Sequence, residues 1–287
     1  MESGARAVKK CLLLFLLLLM LPFSAGADTP VSVMPEAEPF PEDAALLEIW
    51  ALPLLNADCF FLRCGEETML LDCGTKGSGD LILDFLREME VKELTLAYNS
   101  HPHDDHLGGF PAVLAQVPAG EFLTTFPENQ EMDETIQTAA LGSIRESGVP
   151  IRVLENGGQF TLGGAEITAY FDETAGDANS RSGVLKITYG NAVILFPGDA
   201  EGETLQRLCE TYGLDADILK YPHHGRFPLR DGTLNAVTPA FVLIPNGPIG
   251  SALGGLRLDA RQIPHLAAAP SGVYLATDGL RWAVSLE

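Results

Sequence analysis

Three imidazoles and two carboxylates fall within the six residues His101-Pro102-His103-Asp104-Asp105-His106, and no other stretch of the 287-residue chain is as dense in metal-binding groups. Half of the six histidines in the sequence lie here. Neutral imidazole together with carboxylate oxygen is a donor set that suits zinc, with manganese and iron compatible with the same atoms. At a turn, His101 and His103 can point one way while Asp105 and His106 point another, which suits two adjacent cations better than one. A surface turn needs far fewer such groups.

Other polar residues stand where apolar runs stop. Asp72 closes the run 69–71, and a carboxylate at a strand end can orient neighbouring ligands by hydrogen bonding. Pro197-Gly198-Asp199 follows residues 192–196, and Pro222-His223-His224-Gly225 follows residues 218–221. All of these are expected at strand ends.

The elements that must carry them can be read from periodicity. Residues 46–50, 59–63 and 69–72 read as three short strands, the second and third joined by a hairpin turning at Gly65 to Thr68. Gly77-Ser78-Gly79-Asp80 opens a helix with Leu81, Ile82, Phe85, Leu86 and Met89 on one stripe, and residues 94–98 form a buried strand leading into the histidine-rich loop. Phe110, Val113, Leu114 and Val117 follow at helical spacing. A strand at 119–127 precedes a helix at 131–147 whose Ile136, Ala139, Ala140 and Ile144 face inward, and residues 151–170 hold two short strands. The second half repeats the plan: a hairpin of 184–189 and 192–196, a helix over 201–212, a strand at 218–221, a Gly- and Pro-rich loop from 245 to about 256, and strands at 240–244, 273–276 and 282–286. Two halves that each deliver polar residues from strand ends predict an α/β sandwich, two sheets face to face with helices outside.

Arg6, Lys9 and Lys10 precede the apolar run 12–21, and Ala25-Gly26-Ala27 supplies small residues for cleavage, so residues 1–27 read as a secretory signal peptide, with an uncleaved membrane anchor as the alternative. Residues 28–45 are expected to be a flexible tether to one domain at 46–287. Removing the signal takes three of 18 basic and one of 39 acidic residues, leaving a net charge of −23. That charge repels nucleic acid and anionic membranes at long range. Export allows Cys59 and Cys73 to pair as a disulfide; free thiols at Cys59, Cys64, Cys73 and Cys209 are the alternative.

With these residues in view, the motif at 101–106 resembles the signature of the metallo-β-lactamase superfamily. The order Asp72, this motif, Pro197-Gly198-Asp199 and His223-His224-Gly225 resembles the hydrolase domain of ComEC/Rec2-type competence proteins and their stand-alone secreted relatives, over about residues 46–286. The resemblance implies the αββα fold, with two mixed sheets, and two Zn2+ ions, with Mn2+ or Fe as alternatives. It implies that His101 and His103 hold the first ion, that Asp105 and His106 hold the second, and that Asp199 bridges both; for the last ligand on the second ion the choice lies between the adjacent His223 and His224, with His224 favoured. His223 is expected to face the substrate, since successive residues leaving a strand point to opposite sides. Asp105 and His223 are then the catalytic pair, and Arg226 a substrate-binding residue.

The superfamily's usual third histidine on the first ion has no counterpart; that place holds Asp177-Ala178-Asn179-Ser180-Arg181-Ser182, as in the ComEC-like branch, which makes Asn179 or Asp177 the candidate replacement. Leu54-Leu55-Asn56-Ala57-Asp58 replaces a Gly-Gln-Gly-Asp type turn, and Arg226 stands where relatives have Ser.

The implied activity is a secreted metal-dependent hydrolase, foremost a phosphodiesterase that turns a metal-activated hydroxide on a small or cell-wall-linked phosphodiester. A lactone or thioester hydrolase and a low-turnover metal-binding or sensing protein are the alternatives, and nuclease action in DNA uptake sits poorly with the charge. The sequence leaves the oligomeric state undetermined.

Overall fold

The computed structural model describes residues 29–33, 38–126 and 134–287. The expected signal peptide lies outside the described residues. Among those residues no helix is long and apolar enough to cross a membrane.

Among the described residues, sixteen strands form two mixed sheets. The first has the order β1(Val31–Val33), β16(Trp282–Leu286), β15(Val273–Thr277), β2(Leu47–Ala51), β3(Phe60–Cys64), β4(Glu67–Leu71), β5(Leu94–Asn99), β6(Ala119–Thr124), β7(Ile151–Val153). The second runs β14(His265–Ala267), β13(Phe241–Ile244), β12(Ile218–Lys220), β11(Ala192–Phe196), β10(Val184–Tyr189), β9(Ala165–Tyr170), β8(Gly158–Leu162). Seven α-helices accompany them: α1(Gly79–Glu88), α2(Asp104–Leu107), α3(Phe110–Leu114), α4(Glu134–Glu146), α5(Gly202–Tyr212), α6(Asp231–Val237) and α7(Ala252–Ala260).

Strand alternation divides the apolar residues into three layers. Phe60, Leu62, Met69, Leu71 and Tyr98 face Ile167, Leu185, Ile187, Ile194 and Phe196 across the interior of the sandwich. The rings of Phe60 and Phe196 meet edge-on between the sheets, centroids 4.9 Å apart. On the outer face of the first sheet, Phe61, Leu70, Ala97 and Phe122 bury the stripe Ile82, Leu86, Phe110 and Val113. On the outer face of the second, Leu195, Leu219 and Val242 bury Leu205, Leu208, Leu234 and Leu258. The result is the expected αββα arrangement.

Topology brings the polar residues to one edge. β4 and β5 are parallel neighbours in the first sheet, as are β11 and β12 in the second, so Asp72, the 101–106 loop, Asp199 and His223-His224 all leave the carboxyl ends of strands. β3 is antiparallel to β4, with Phe60 opposite Leu71, so Asp58 just ahead of β3 arrives at the same edge.

Several expectations are corrected. The proposed flexible tether is docked in part: β1 pairs in parallel with β16, the Thr29 N–H donates to Asp217 Oδ1 at 3.1 Å, and Arg281 donates to the Glu38 and Pro39 carbonyls. Backbone hydrogen bonds to a sheet edge hold a segment whose composition alone suggests no partner. The β3–β4 turn is Gly65-Glu66, and residues 151–170 contain three strands rather than two. Ala139 is exposed while Ala140 and Ile144 are buried; the side chain of Ile136 lies outside the described set. Part of the loop expected at 245–256 is the start of α7, and α6 and β14 had no sequence counterpart. All four described cysteines are buried free thiols.

Candidate metal centre

Asp199, Asp58, His106 and His224 offer ligand atoms that all lie within 4.8 Å of one another, and all four residues are buried. His106 Nε2 stands 3.2 Å from Asp199 Oδ1, His224 Nε2 stands 3.5 Å from Asp199 Oδ2, and His224 Nε2 stands 3.2 Å from Asp105 Oδ2. Ligands bound at 2.0–2.1 Å to a tetrahedral cation stand roughly 3.3 Å apart, so these separations are those of a ligand shell. His106 Nε2 and Asp199 Oδ1 are buried without a hydrogen-bond partner. Buried polar atoms left unpaired are costly, and a cation between them would remove the cost.

The same two histidines are oriented from behind. His106 Nδ1 lies 2.7 Å from Asp72 Oδ2, and His224 Nδ1 lies 2.8 Å from Asp58 Oδ1. In each imidazole a carboxylate holds Nδ1, fixes the ring and turns Nε2 towards Asp199, the arrangement that raises ligand basicity at metal sites. Asp72 is itself held by the Ser100 N–H at 2.8 Å, the Ser100 hydroxyl at 2.7 Å and the Asn99 amide at 3.2 Å. Asp58 belongs to the same cluster: its Oδ1 orients His224, while its Oδ2, which has no hydrogen-bond partner, is ion-paired with the Lys220 ammonium.

Lys220 is wholly buried at the end of β12. Besides Asp58, its Nζ donates to the Gly198 carbonyl at 2.7 Å and lies 3.7 Å from Asp199 Oδ1. It thereby ties the turn carrying Asp199 to the carboxylate behind His224. Neither Asp58 nor Lys220 was expected from the sequence as a site residue.

On the other side of Asp199, His101 Nε2 lies 4.0 Å from Oδ2 and 3.1 Å from His103 Nδ1. Asn179 Oδ1 is buried and unpaired, whereas Asp177 is exposed and accepts the Ser180 N–H at 2.9 Å in its own turn. The turn side chain of Asp177 is therefore already occupied. The loop of Asn179 is joined to the centre because Ser182 Oγ accepts the Asp199 N–H at 3.1 Å and the Gly183 N–H donates to the Ser100 carbonyl at 2.9 Å. Arg226 is exposed and stands outside the cluster.

The adjacent histidines diverge. His223 and His224 both have left-handed backbone, φ 49° and 54°, and Asp72 shares it at φ 54°. Such conformations cost of order 1–3 kcal/mol per residue and persist where the surroundings over-determine them. While His224 points inward, His223 places Nδ1 3.2 Å from Glu201 Oε1 and Nε2 3.8 Å from Asp199 Oδ2, with its side chain 14% exposed.

Charge follows from this geometry. Burial would raise the Asp199 carboxyl, but the His106 and His224 imidazoles and Lys220 outweigh it and hold it well below its usual range. Burial opposes protonation of His106 and His224, yet the carboxylates around them win, raising His106 well above the ordinary imidazole range and His224 to about 9. For His101, burial and the neighbouring His106 push the other way and keep it neutral. Asp105, despite its burial, is held low by His224 and His106. Four carboxylates thus face one ammonium and the imidazoles, an excess of negative charge suited to divalent cations.

Comparison with known proteins matches residues 52–227 to the family model described as the metallo-beta-lactamase superfamily. The chain is 28% identical over 221 residues to the competence protein ComA of Neisseria gonorrhoeae, covering 76% of this chain and 29% of that protein. It therefore spans less than a third of that relative's length. Among solved structures, the metallo-beta-lactamase fold protein YhfI of Bacillus subtilis superposes with TM-score 0.54 at 13% identity, over 81% of this chain and 100% of that one. Igni18, a metallo hydrolase of Ignicoccus hospitalis, superposes with TM-score 0.52 at 15% identity, over 81% and 98%. Likenesses at this identity show the fold.

Proposed function

Because the chain belongs to the metallo-beta-lactamase superfamily, we propose that this metal-dependent hydrolase is an exported phosphodiesterase acting on a small or cell-wall-linked phosphodiester. The observation that carries the proposal is the buried, unpaired His106 Nε2 and Asp199 Oδ1 facing each other at 3.2 Å, with His224 Nε2 beside them. In this reading His101 and His103 would hold one cation, with Asn179 Oδ1 offering oxygen in place of a third histidine. Asp105, His106 and His224 would hold the other, and Asp199 would be shared by both. The donor set favours Zn2+. Bound there, two divalent cations supply Lewis acidity at the scissile group and water activated near neutral pH.

The protein's own residues do the rest. Asp72 and Asp58 fix the rings of His106 and His224, so the reacting geometry is held before substrate arrives. Lys220 neutralises Asp58 and keeps it behind the histidine. His223, held at Nδ1 by Glu201 and open to solvent on one side, is positioned to donate from Nε2 to a non-bridging oxygen as negative charge grows. Arg226 adds a local positive charge on the same segment. A net charge of −21 disfavours nucleic acid as the substrate.

Hydrolysis of bis-p-nitrophenyl phosphate by Zn2+- or Mn2+-reconstituted protein tests this, with Asp199→Ala as the control. Turnover at least a hundredfold above that of the variant is expected; equal rates would remove the phosphodiesterase reading. Asn179 in place of a third histidine favours one second reading, a low-turnover metal-binding or sensing protein. Full metal loading without turnover of phosphodiesters, lactones or thioesters would select it.

A further inference from the structure

Three segments adjoin the centre: the end of β2 with the loop after it, the turn that follows His224, and the loop that runs into α7. Residues 50–57, 225–229 and 245–256 hold a single charged side chain between them, Arg226, in a protein of net charge −21. From these loops Leu55, Phe227 and Ile249 stand into solvent, 67%, 51% and 95% exposed. The first and third segments are bound to each other and to the residue just before the second. Asn246 Nδ2 donates to Asn56 Oδ1 at 3.0 Å and to the His224 carbonyl at 3.1 Å, and the Asn56 N–H donates to Asn246 Oδ1 at 3.2 Å. Leu55 packs so closely on Gly247 that a Cβ there would lie 3.0 Å from its Cδ2. The Phe227 ring stands edge-on to His223, centroids 5.4 Å apart. Phe227 thus stands against the histidine that borders the centre, and Leu55, with Ile249 two residues beyond Gly247, stands on the two segments that are tied to the His224 carbonyl.

A wall free of carboxylates, with one cation on its rim and a cation-binding centre at its foot, complements a molecule that is anionic at one end and apolar at the other. We propose, resting on the ester-hydrolase reading above, that the substrate is a dispersed amphiphile: an anionic ester whose scissile group lies at the metal centre and whose alkyl or acyl chain lies along Leu55, Phe227 and Ile249. Water adds to phosphorus, the P–O bond to one alcohol breaks, and an alcohol and a phosphomonoester leave; no other reactant is needed. The occupant is a single molecule rather than a bilayer, because the protein's acidity opposes approach to an anionic lipid surface.

The test uses the metal-loaded protein and p-nitrophenyl phosphodiesters whose second alcohol is methyl, butyl or octyl, all below their micelle concentrations. Each methylene laid on an apolar wall strengthens binding, so kcat/KM is expected to rise at least about tenfold from methyl to octyl. Phe227→Ser and Ile249→Ser should each reduce the octyl-to-methyl ratio at least threefold. Leu280→Ser, an equally exposed leucine at the β15–β16 turn, should leave it unchanged. Octylphosphonate should bind at least tenfold tighter than methylphosphonate by calorimetry, and Phe227→Ser should abolish the difference. If no phosphodiester is cleaved but this binding difference holds, the amphiphile wall stands and the phosphodiesterase reading fails. A flat chain-length series with equal phosphonate affinities would overturn the proposal. So would a gain seen only above the micelle concentration or on anionic vesicles, or a dimer in sedimentation that Ile249→Ser dissociates.

Discussion

Replacing Lys220 by Met removes one charge from the interior while keeping its bulk, and the structure gives the cost. Lys220 Nζ contacts Asp58 and the Gly198 carbonyl with no exposure to water, so the variant leaves the Asp58 carboxylate buried with only two imidazoles beside it, His224 Nδ1 at 2.8 Å and His106 Nδ1 at 3.7 Å. Breaking a buried ion pair from one side costs about 3–5 kcal/mol. For a domain of this size each kcal/mol lowers Tm by about 2–4 °C, so Lys220→Met should melt roughly 6–20 °C below the parent. Asp58→Asn should be similarly damaging, since it strands the ammonium. The double variant Asp58→Asn/Lys220→Met removes both charges and should cost about 1–3 kcal/mol less than the sum of the two singles. Because Asp58 orients His224, each single variant should also weaken Zn2+ binding about 10–100-fold. Urea denaturation of chelator-treated protein and calorimetric titration with Zn2+ measure the two effects. A Lys220→Met variant within 1 kcal/mol of the parent, or a double variant that loses the full sum of the singles, would refute the assignment of Lys220 as the counter-charge of the centre.

The metal-free protein should lose stability with rising pH. Its His224 holds a proton to about pH 9, so the associated stabilisation, on the order of 3 kcal/mol, is complete below about pH 6.5 and is lost as pH rises through about 9. Calorimetric scans across that interval should show Tm falling for chelated protein and a weaker trend with Zn2+, whose binding replaces protons and should release them into the buffer. Gly109→Ala would place a Cβ 2.0 Å from the Cys73 carbonyl oxygen, next to Asp72, and should cost about 1–3 kcal/mol or more together with metal affinity. Gly142→Ala, in α4 with nothing within 4 Å, should instead stabilise by about 0.5–1 kcal/mol, read in the same denaturation assay. Asp217→Ala strips acceptors from the N–H groups of Thr29 at 3.1 Å, Val193 at 2.8 Å and the Trp282 indole at 3.3 Å; a loss of about 2–4 kcal/mol with a changed tryptophan emission is expected.

The fold was legible because each buried strand announces itself as a short apolar run, and the centre because imidazoles cluster in six residues where the chain must turn. What the sequence concealed is relational. Asp58 reads as a turn residue and acquires its role only through His224, 166 positions away. Lys220 reads as part of a strand, although a lysine among the apolar Ile218, Leu219 and Tyr221 signals a charge that needs an interior partner. The helix α7 was hidden by Gly254 and Gly255, which look like loop composition. Gly254 is required because a Cβ there would meet the Gly225 carbonyl oxygen at 2.6 Å, so close packing against the His223-His224 turn dictates the residue. The strand β1 was missed because three residues at a sheet edge carry little periodicity, and its anchors, Asp217 and Trp282, lie far along the chain.

Anomalous diffraction from crystals equilibrated with Zn2+ tests the central claim most directly. Two peaks about 3.5–4 Å apart are expected on either side of Asp199, one between His101 and His103, the other among Asp105, His106 and His224. A single peak held by Asp58 without Asp199, or no peak within reach of His106 Nε2, would contradict it.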